Sequence, residues 1–520
     1  MTLTHEGTGN ARLVQGERII EGFAADGTPV IHDEAALVIV NGMVSAIGPA
    51  TDMKRLYPEA EVIGGKGKVI MPGLINAHHH VGLTPFQLGS PDYPLELWFA
   101  SRLALRDVDL RLDTLFSAFE MIASGVTTVQ HLHSRAPGGV DDIVAASRKV
   151  IGAYREIGLR ASYSMALRDQ NRLVYEDDAV FTSRAPADLQ PALVDYFRRF
   201  TLPLADQITV FEALRAELLN DDRVALQLAP ANLHWLSDQA LQLAANLSSK
   251  HSMPLHMHVL ETPYQKEYAR RRTGGSAIDH LQRFGLLSNQ LTIGHGVWLT
   301  ERDIESCAAH GVRICHNCSS NLRLKSGVAP VNRFLAEGIP VSLGIDEAGI
   351  NDDRDMLQEM RLALRVHREP GIHAPHPSAA DILRMATEQG AMTTPFGRKI
   401  GRLSVGSSAD LAILDWRTVT WPYQDPATPL IDVLVMRATT KSVETVMVAG
   451  EVIYHEGRFT RIDRTEVFAA IAEAFARPLS EAEVARKLLS ADVFPHVKAF
   501  YDKWLPETPA EPHTYSNARE

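Results

Sequence analysis

His78 and His80 close the run Pro72-Gly73-Leu74-Ile75-Asn76-Ala77-His78-His79-His80, which follows the apolar stretch Lys68-Val69-Ile70-Met71. In an extended chain, residues i and i+2 point to the same side. Two imidazoles on one face of a strand end can share a metal ion, and neutral histidine is the commonest metal ligand. His79 points the other way and is expected to pack, not to ligate.

Three later blocks repeat the pattern of an apolar run ending in a polar group. Pro254-Leu255-His256-Met257-His258 is followed by Val259-Leu260-Glu261-Thr262. Leu291-Thr292-Ile293-Gly294 ends in His295, and Pro340-Val341-Ser342-Leu343-Gly344-Ile345 ends in Asp346. A lone carboxylate at a buried strand end is costly unless it is paired or metal-bound. Polar groups at the carboxyl ends of apolar strands are where a parallel α/β barrel carries its chemistry.

The elements that must hold these ends alternate. Arg111 to Ser124 has helical apolar spacing, and Gly125-Val126-Thr127-Thr128-Val129 reads as a strand. Thr300-Glu301-Arg302-Asp303 has the form of a capping box opening a helix, with Val312-Arg313-Ile314 as the next strand. Strands alternating with helices predict a parallel sheet of the α/β class. The length of residues 71–401 suits a (β/α)8 TIM-type barrel. Residues 1–70 and 402–463 are instead β-rich, with turns at Asn41-Gly42 and Ala449-Gly450. Neither is long enough to close a core alone, so one small composite β-sandwich built from both chain ends is expected. Residues 464–520 form a helical C-terminal extension and tail, with Ser480 and Glu483 as a capping box and a polar end over 506–520.

Together these blocks resemble the amidohydrolase superfamily, in its metal-dependent aminohydrolase branch. That branch includes S-adenosylhomocysteine/methylthioadenosine deaminases, guanine deaminases and triazine hydrolases. Further matching runs are EMIASGVTTV (120–129), HNCSSNLRLKSG (316–327), GRLSVGSSADLAILD (401–415) and VETVMVAGEVIYHEGRF (443–459). The resemblance implies metal ligation by His78, His80, His258 and Asp346, with His256 behind the site or in the core. It implies that Glu261 relays protons to the substrate, that His295 holds the attacking water, and that Asp346 also takes that water's proton. Ser320 and Asn321 match a Ser-Asn pair that shapes the site, so Asn321 is a candidate substrate contact.

Three imidazoles and one carboxylate suit one divalent metal per chain, with zinc the first expectation and iron the second. Zinc lowers the pKa of bound water towards about 7. The carbamylated lysine of binuclear relatives has no candidate, since Arg223 to Pro230 contains no lysine. The Cys315-His316-Asn317-Cys318 run falls in a strand segment of the resemblance, so a buried thiol is expected there and not a redox or zinc site.

Two positions depart from the pattern. Many relatives carry Pro-His after the fourth strand; here Pro230 precedes Ala231-Asn232-Leu233-His234, and His234 is a candidate substitute. Asp346 is followed by Glu347, which the sequence allows either as a solvated loop acid or as a group recognising a cationic or amino-rich substrate.

A net charge of −11 argues against nucleic-acid binding, and no apolar run is long enough to span a membrane. The polar start, Met1 to Asn10, lacks an apolar signal core. Three cysteines, Cys307, Cys315 and Cys318, fit a reducing cytoplasm. The expectation is a cytoplasmic homodimer or higher homo-oligomer that removes an amino group from an amino-substituted N-heterocycle or amidine-like small molecule. The alternatives are hydrolysis of another C–N or C–X bond, as in an amide, urea, carbamate or halogenated ring, and a barrel scaffold without catalysis.

Overall fold

A computed structural model describes residues 11–134 and 136–505. The chain opens with β1 (Arg12–Phe23), β2 (Pro29–Val40), β3 (Met43–Pro49) and β4 (Glu61–Pro72). Then come β5 (Leu74–His79), β6 (Val126–His133), β7 (Arg160–Leu167), β8 (Val224–Leu226) and β9 (Ala229–Pro230). β10 (Leu255–Val259), β11 (Leu291–His295), β12 (Arg313–His316) and β13 (Val341–Leu343) follow. The last four are β14 (Leu411–Asp415), β15 (Val443–Val448), β16 (Glu451–His455) and β17 (Arg458–Phe459).

Both chain ends join one eight-stranded sheet in the order β17-β16-β15-β14-β4-β1-β2-β3. The join is antiparallel, from Leu411 opposite Pro72 to Asp415 opposite Lys68. Strands from both chain ends therefore lie in one continuous hydrogen-bonded sheet. One cluster gathers Val14, Leu37, Ile70, Leu411, Ile413 and Met447 from both ends. The two turns read from sequence are present. Asn41 and Gly42 have φ of 50° and 76°, and Ala449 and Gly450 have 49° and 75°. Both central residues left-handed is what a two-residue type I′ hairpin requires.

The sheet abuts the remaining strands directly, because only Gly73 separates β4 from β5. A Cβ at Gly73 would meet the Thr127 side chain at 2.1 Å, so the crossing needs glycine. Arg160, which opens β7, donates to both carboxylate oxygens of Asp410 (Nε–Oδ2 2.7 Å, Nη2–Oδ1 3.1 Å). Asp410 Oδ1 also accepts from Ala449 N at 2.7 Å, tying the C-terminal hairpin to the same point.

β5 to β9 form one parallel sheet, in which β8 and β9 both pair with β7, and β10 to β13 form a second. Parallel bridges join the two at both sides. Leu228 pairs Leu255 and Asn232 pairs His258 at one junction; His79 pairs Asp346 at the other. Helices fall between the strands, including Leu110–Ala123, Val140–Ile157, Leu204–Leu218, Asp238–His251 and Glu301–Ala309. β6 is buried along its whole length, as expected for a parallel strand covered on both faces.

The C-terminal extension folds as the helices Arg464–Ala476 and Glu481–Tyr501, the second opened by the Ser480–Glu483 capping box. This helix packs on the segment Leu95–Ala104: Ser490 Oγ donates to Ala100 O at 2.8 Å, and Val493 and Val497 share a buried cluster with Ala100 and Leu103. The tail 506–520 lies outside the described residues. No described helix is long and apolar enough to cross a membrane.

Candidate active site

The strand ends converge as the i, i+2 spacing predicts. Nε2 of His80 lies 3.1 Å from Nε2 of His78 and 3.1 Å from Nε2 of His258. Asp346 Oδ1 is 3.2 Å from His80 Nε2 and 3.6 Å from His78 Nε2. A tetrahedral ion about 2.05 Å from each donor gives donor–donor edges of about 3.3 Å. The observed spacing is that of such a shell.

The hydrogen bonding supports this fit. His80 Nδ1 is 2.7 Å from Leu132 O and His258 Nδ1 is 2.8 Å from Ala231 O. A carbonyl only accepts, so each Nδ1 carries the hydrogen. Both Nε2 atoms are then lone pairs, yet they face each other at 3.1 Å. Burial keeps both rings neutral: His80 is lowered, and His258 falls to about 3. Lone pairs at that distance repel unless a cation lies between them. His78 Nδ1 is 2.8 Å from His256 Nε2, so His256 stands behind His78. Anchoring each ligand's second nitrogen fixes its tautomer and direction. His79 packs, with Nδ1 on Asp346 O at 3.1 Å and Nε2 on Ser117 Oγ at 3.1 Å.

The carboxylate end is built from left-handed backbone. Asp346 has φ 65°, His295 72° and Leu260 52°. Non-glycine residues seldom hold this conformation, and it concentrates at functional sites. At Gly344 a Cβ would meet His78 Cβ and Asn317 Oδ1, both at 2.5 Å, so glycine lets the strand approach His78. Burial works to raise the Asp346 pKa, and His80, His295 and Ser320 more than offset it, leaving it below its ordinary value.

Glu261 and His295 complete the group. Burial, the largest cause, raises Glu261 to about 7. Its Oε2 lies 3.8 Å from His295 Nε2, which is also 3.7 Å from Asp346 Oδ2. His295 Nδ1 is 2.8 Å from Asn321 Oδ1, which can only accept, so Nδ1 carries the hydrogen and Nε2 is an acceptor, approached by Asn317 Nδ2 at 3.3 Å. Asn321 thus orients His295. Asn321 is not among the residues lining the cavity over this site.

The cavity over these groups is lined by His80, His258, Glu261, His295, Asp346 and Glu347, and by Trp98, Phe99, Arg102, Asn232, Trp235 and Gln265. His234 is not among the lining residues. Its ring packs between Tyr175 (centroids 4.1 Å apart) and Trp235 (4.3 Å), both larger and closing over it, so it does not replace the histidine of relatives. Glu347 is only 7% exposed, which removes the solvated reading. The turn that brings it inward is at Asp346 itself, not at Gly349. Arg102 Nη2 lies 3.2 Å from Glu347 Oε1, and neither carboxylate oxygen has a hydrogen-bond partner. Burial raises Glu347 to about 7, with Arg102 opposing.

Sequence reasoning missed Trp98, Phe99 and Arg102. The available signal was two adjacent aromatics near an arginine in the connection after the first ligand strand, where barrel sites gather residues. Gln227, in the lysine-free run 223–230, is buried and accepts from Ser162 Oγ at 2.8 Å. Cys315 and Cys318 are buried free thiols, as expected, with pKa values pushed up by burial.

Known proteins share this arrangement of chain. A 5-methylthioadenosine/S-adenosylhomocysteine deaminase of Syntrophobacter fumaroxidans is 30% identical over 444 residues, spanning 84% of this chain and 92% of the relative. Among solved structures, an adenosine deaminase from Xanthomonas campestris with bound zinc superposes with a TM-score of 0.75 at 23% identity, covering 89% of this chain and 98% of that one. Atrazine chlorohydrolase from Arthrobacter aurescens TC1, complexed with zinc, gives 0.75 at 22% identity and covers 89% and 99%. At those identities the two structures establish a shared fold. Residues 69–453 match the amidohydrolase family, and with the converging histidines and Asp346 inside that span, the chain belongs to the amidohydrolase family and is a hydrolase of carbon–nitrogen bonds.

Proposed function

We propose that this chain is a metal-dependent aminohydrolase that replaces an amino group on an amino-substituted N-heterocycle or amidine with oxygen from water. The observation that carries it is the pair of facing Nε2 lone pairs of His80 and His258, flanked by Asp346 and by the buried Glu261, whose pKa burial raises to about 7. On this reading His78, His80, His258 and Asp346 hold one divalent ion, zinc before iron. Bound there, the ion would supply Lewis acidity and lower the pKa of water.

The chain's own residues divide the proton work. His295 Nε2 and Asp346 Oδ2 accept the proton of the attacking water. Glu261, in its acid form, donates to a ring nitrogen next to the attacked carbon; the carboxylate so formed then takes the hydroxyl proton of the adduct and passes it to the leaving nitrogen, and the water's first proton restores the acid. A C–O bond forms, the C–N bond breaks, and ammonia leaves with the transferred protons. Glu347, ion-paired with Arg102 through Oε1 but with neither oxygen hydrogen-bonded, is placed to accept from an amino or cationic group of the substrate.

The same reading takes the eight parallel positions as a closed (β/α)8 barrel over about 71–401, supported by the bridges at both junctions. The ends, 1–70 and 402–463, then form the β module, with 464–520 as the extension. A cytoplasmic homo-oligomer is supported by the three free cysteines and by exposed Ile372, Trp421 and Tyr423.

The test is ammonia release by zinc-loaded protein across a panel of amino-heterocycles and amidines. Amides, ureas, carbamates and halogenated heterocycles run beside that panel; turnover confined to these, with no ammonia from any amino-heterocycle or amidine, would transfer the chain to another C–N or C–X hydrolase.

A further inference from the structure

The turn that delivers Glu261 to the cavity is held from behind by a second buried acid. Leu260 is left-handed, with φ 52°, and Thr262 then caps the helix Pro263–Thr273. Three hydrogen bonds hold the residues between. Glu261 N donates to Gln265 Oε1 at 2.8 Å, Gln265 N donates to Thr262 Oγ1 at 3.3 Å, and Thr262 Oγ1 donates to Glu96 Oε1 at 2.5 Å. Glu96 lies 166 positions from Thr262 in sequence and is only 2% exposed.

Glu96 takes no part in the proton transfers of the proposed reaction and does not line the cavity. It stands on the helix Leu95–Ser101, whose Trp98 and Phe99 do line it. A buried carboxyl is costly unless it is hydrogen-bonded. Oε1 is used twice, because the Tyr175 hydroxyl donates to it at 2.8 Å beside the Thr262 bond. Tyr175 N in turn donates to the Tyr501 hydroxyl oxygen at 3.2 Å, and both rings pack with Val493 and Val497. Glu96 therefore joins the cavity-wall helix, the connection after β7, the C-terminal helix and the Glu261 turn.

This arrangement survives a change of protonation. Burial raises Glu96 above its ordinary value, but a proton on the acid can sit on Oε2 and leave Oε1 accepting both hydroxyls. With its hydrogen committed to Glu96, the Thr262 hydroxyl turns its lone pairs to Gln265 N. Without Glu96 that hydroxyl is free to rotate, and the cap loses its fixed direction. We propose that Glu96 is a positioning residue for Glu261: Oε1, by fixing the Thr262 hydroxyl, sets the direction from which the Glu261 carboxyl enters the cavity. The inference rests on the aminohydrolase reading for the task of Glu261, but not for the clamp itself.

The experiment compares Glu96→Ala and Glu96→Gln with the wild type, all full-length and zinc-loaded, in ammonia release and in hydrogen exchange read by mass spectrometry. Glu96→Ala is expected to lose about 10- to 100-fold in kcat, the scale of a misplaced catalytic group, with KM within about twofold. Glu96→Gln keeps the accepting oxygen and should return kcat to within about threefold of the wild type. Amides of residues 261–267 should exchange about fivefold or more faster in Glu96→Ala, with those of 291–295 unchanged. If Glu96→Ala fails to fold, Thr262→Val removes the same hydrogen bond from the other side, Thr262→Ser restores it, and the same changes are expected. An unchanged kcat, a KM that rises in step with the fall in kcat, a conservative variant as impaired as the truncated one, or unchanged exchange over 261–267 each overturn the proposal. If the wild type releases no ammonia from any substrate, the aminohydrolase reading fails and exchange alone decides the clamp: faster exchange confined to 261–267 leaves it standing, and unchanged exchange overturns it.

Discussion

Ser320 Oγ lies 2.6 Å from Asp346 Oδ2, while the other oxygen, Oδ1, lies 3.2 Å from His80 Nε2. The carboxylate is thereby divided: Oδ1 faces the ligand histidines, and Oδ2 faces Ser320 and His295. The hydroxyl holds Oδ2 where a proton must be taken up. Ser320→Ala should lower kcat by about 10- to 100-fold, the worth of a hydrogen bond to a charged group, with metal content unchanged. Steady-state rates and metal analysis check this. Loss of metal would make Ser320 a support for ligation instead.

Purified protein should carry about one zinc or iron per chain. A chelator should abolish turnover, and added zinc should restore it. His258→Ala should lose both metal and activity. Full turnover by protein shown to be metal-free would end the mechanism.

Glu261→Gln keeps the shape of the side chain and removes its proton. The expected loss in kcat is about 10²–10⁴-fold with metal retained. Since the acid form is the working one and Glu261 sits at about 7, the wild-type rate should fall as pH rises past about 7. That limb should vanish in the variant. The linkage has a definite sign. The native group binds its proton more tightly than an ordinary glutamate at 4.5, so its presence costs no stability below 4.5 and costs progressively more up to about 7. Chemical denaturation of Glu261→Gln should show a flatter dependence over that window.

Asp410→Ala breaks the buried pair with Arg160 and leaves the guanidinium unpaired. Removing one partner of such a pair typically costs about 3–5 kcal/mol. Urea unfolding should report a loss of that order. A chain ending near residue 400 removes β14 from the edge of β4 and should aggregate. A soluble, active 1–400 fragment would contradict the shared sheet.

Glu347→Gln should raise KM for the best cationic or amino-rich substrate by roughly 10- to 100-fold, on the scale of a charge-assisted hydrogen bond. Metal content and kcat should change little. An unchanged KM would leave Glu347 as a partner of Arg102 alone.

What the sequence determined by itself are the features set by near neighbours along the chain. His78 with His80, and His256 with His258, share faces because extended backbone alternates with a period of two. Asn41-Gly42 and Ala449-Gly450 make hairpins because those residues accept left-handed φ, and Thr300 and Ser480 cap helices because their partners lie three residues on. The tertiary structure alone decided which groups meet across the two parallel sheets. Asn321 met His295, His234 went behind Trp235, and Glu347 went to Arg102, 245 positions earlier in sequence. Those outcomes depend on loops leaving different strands and on a left-handed turn at Asp346. Aspartate tolerates that turn only where surrounding packing compensates, and no local pattern encodes such packing.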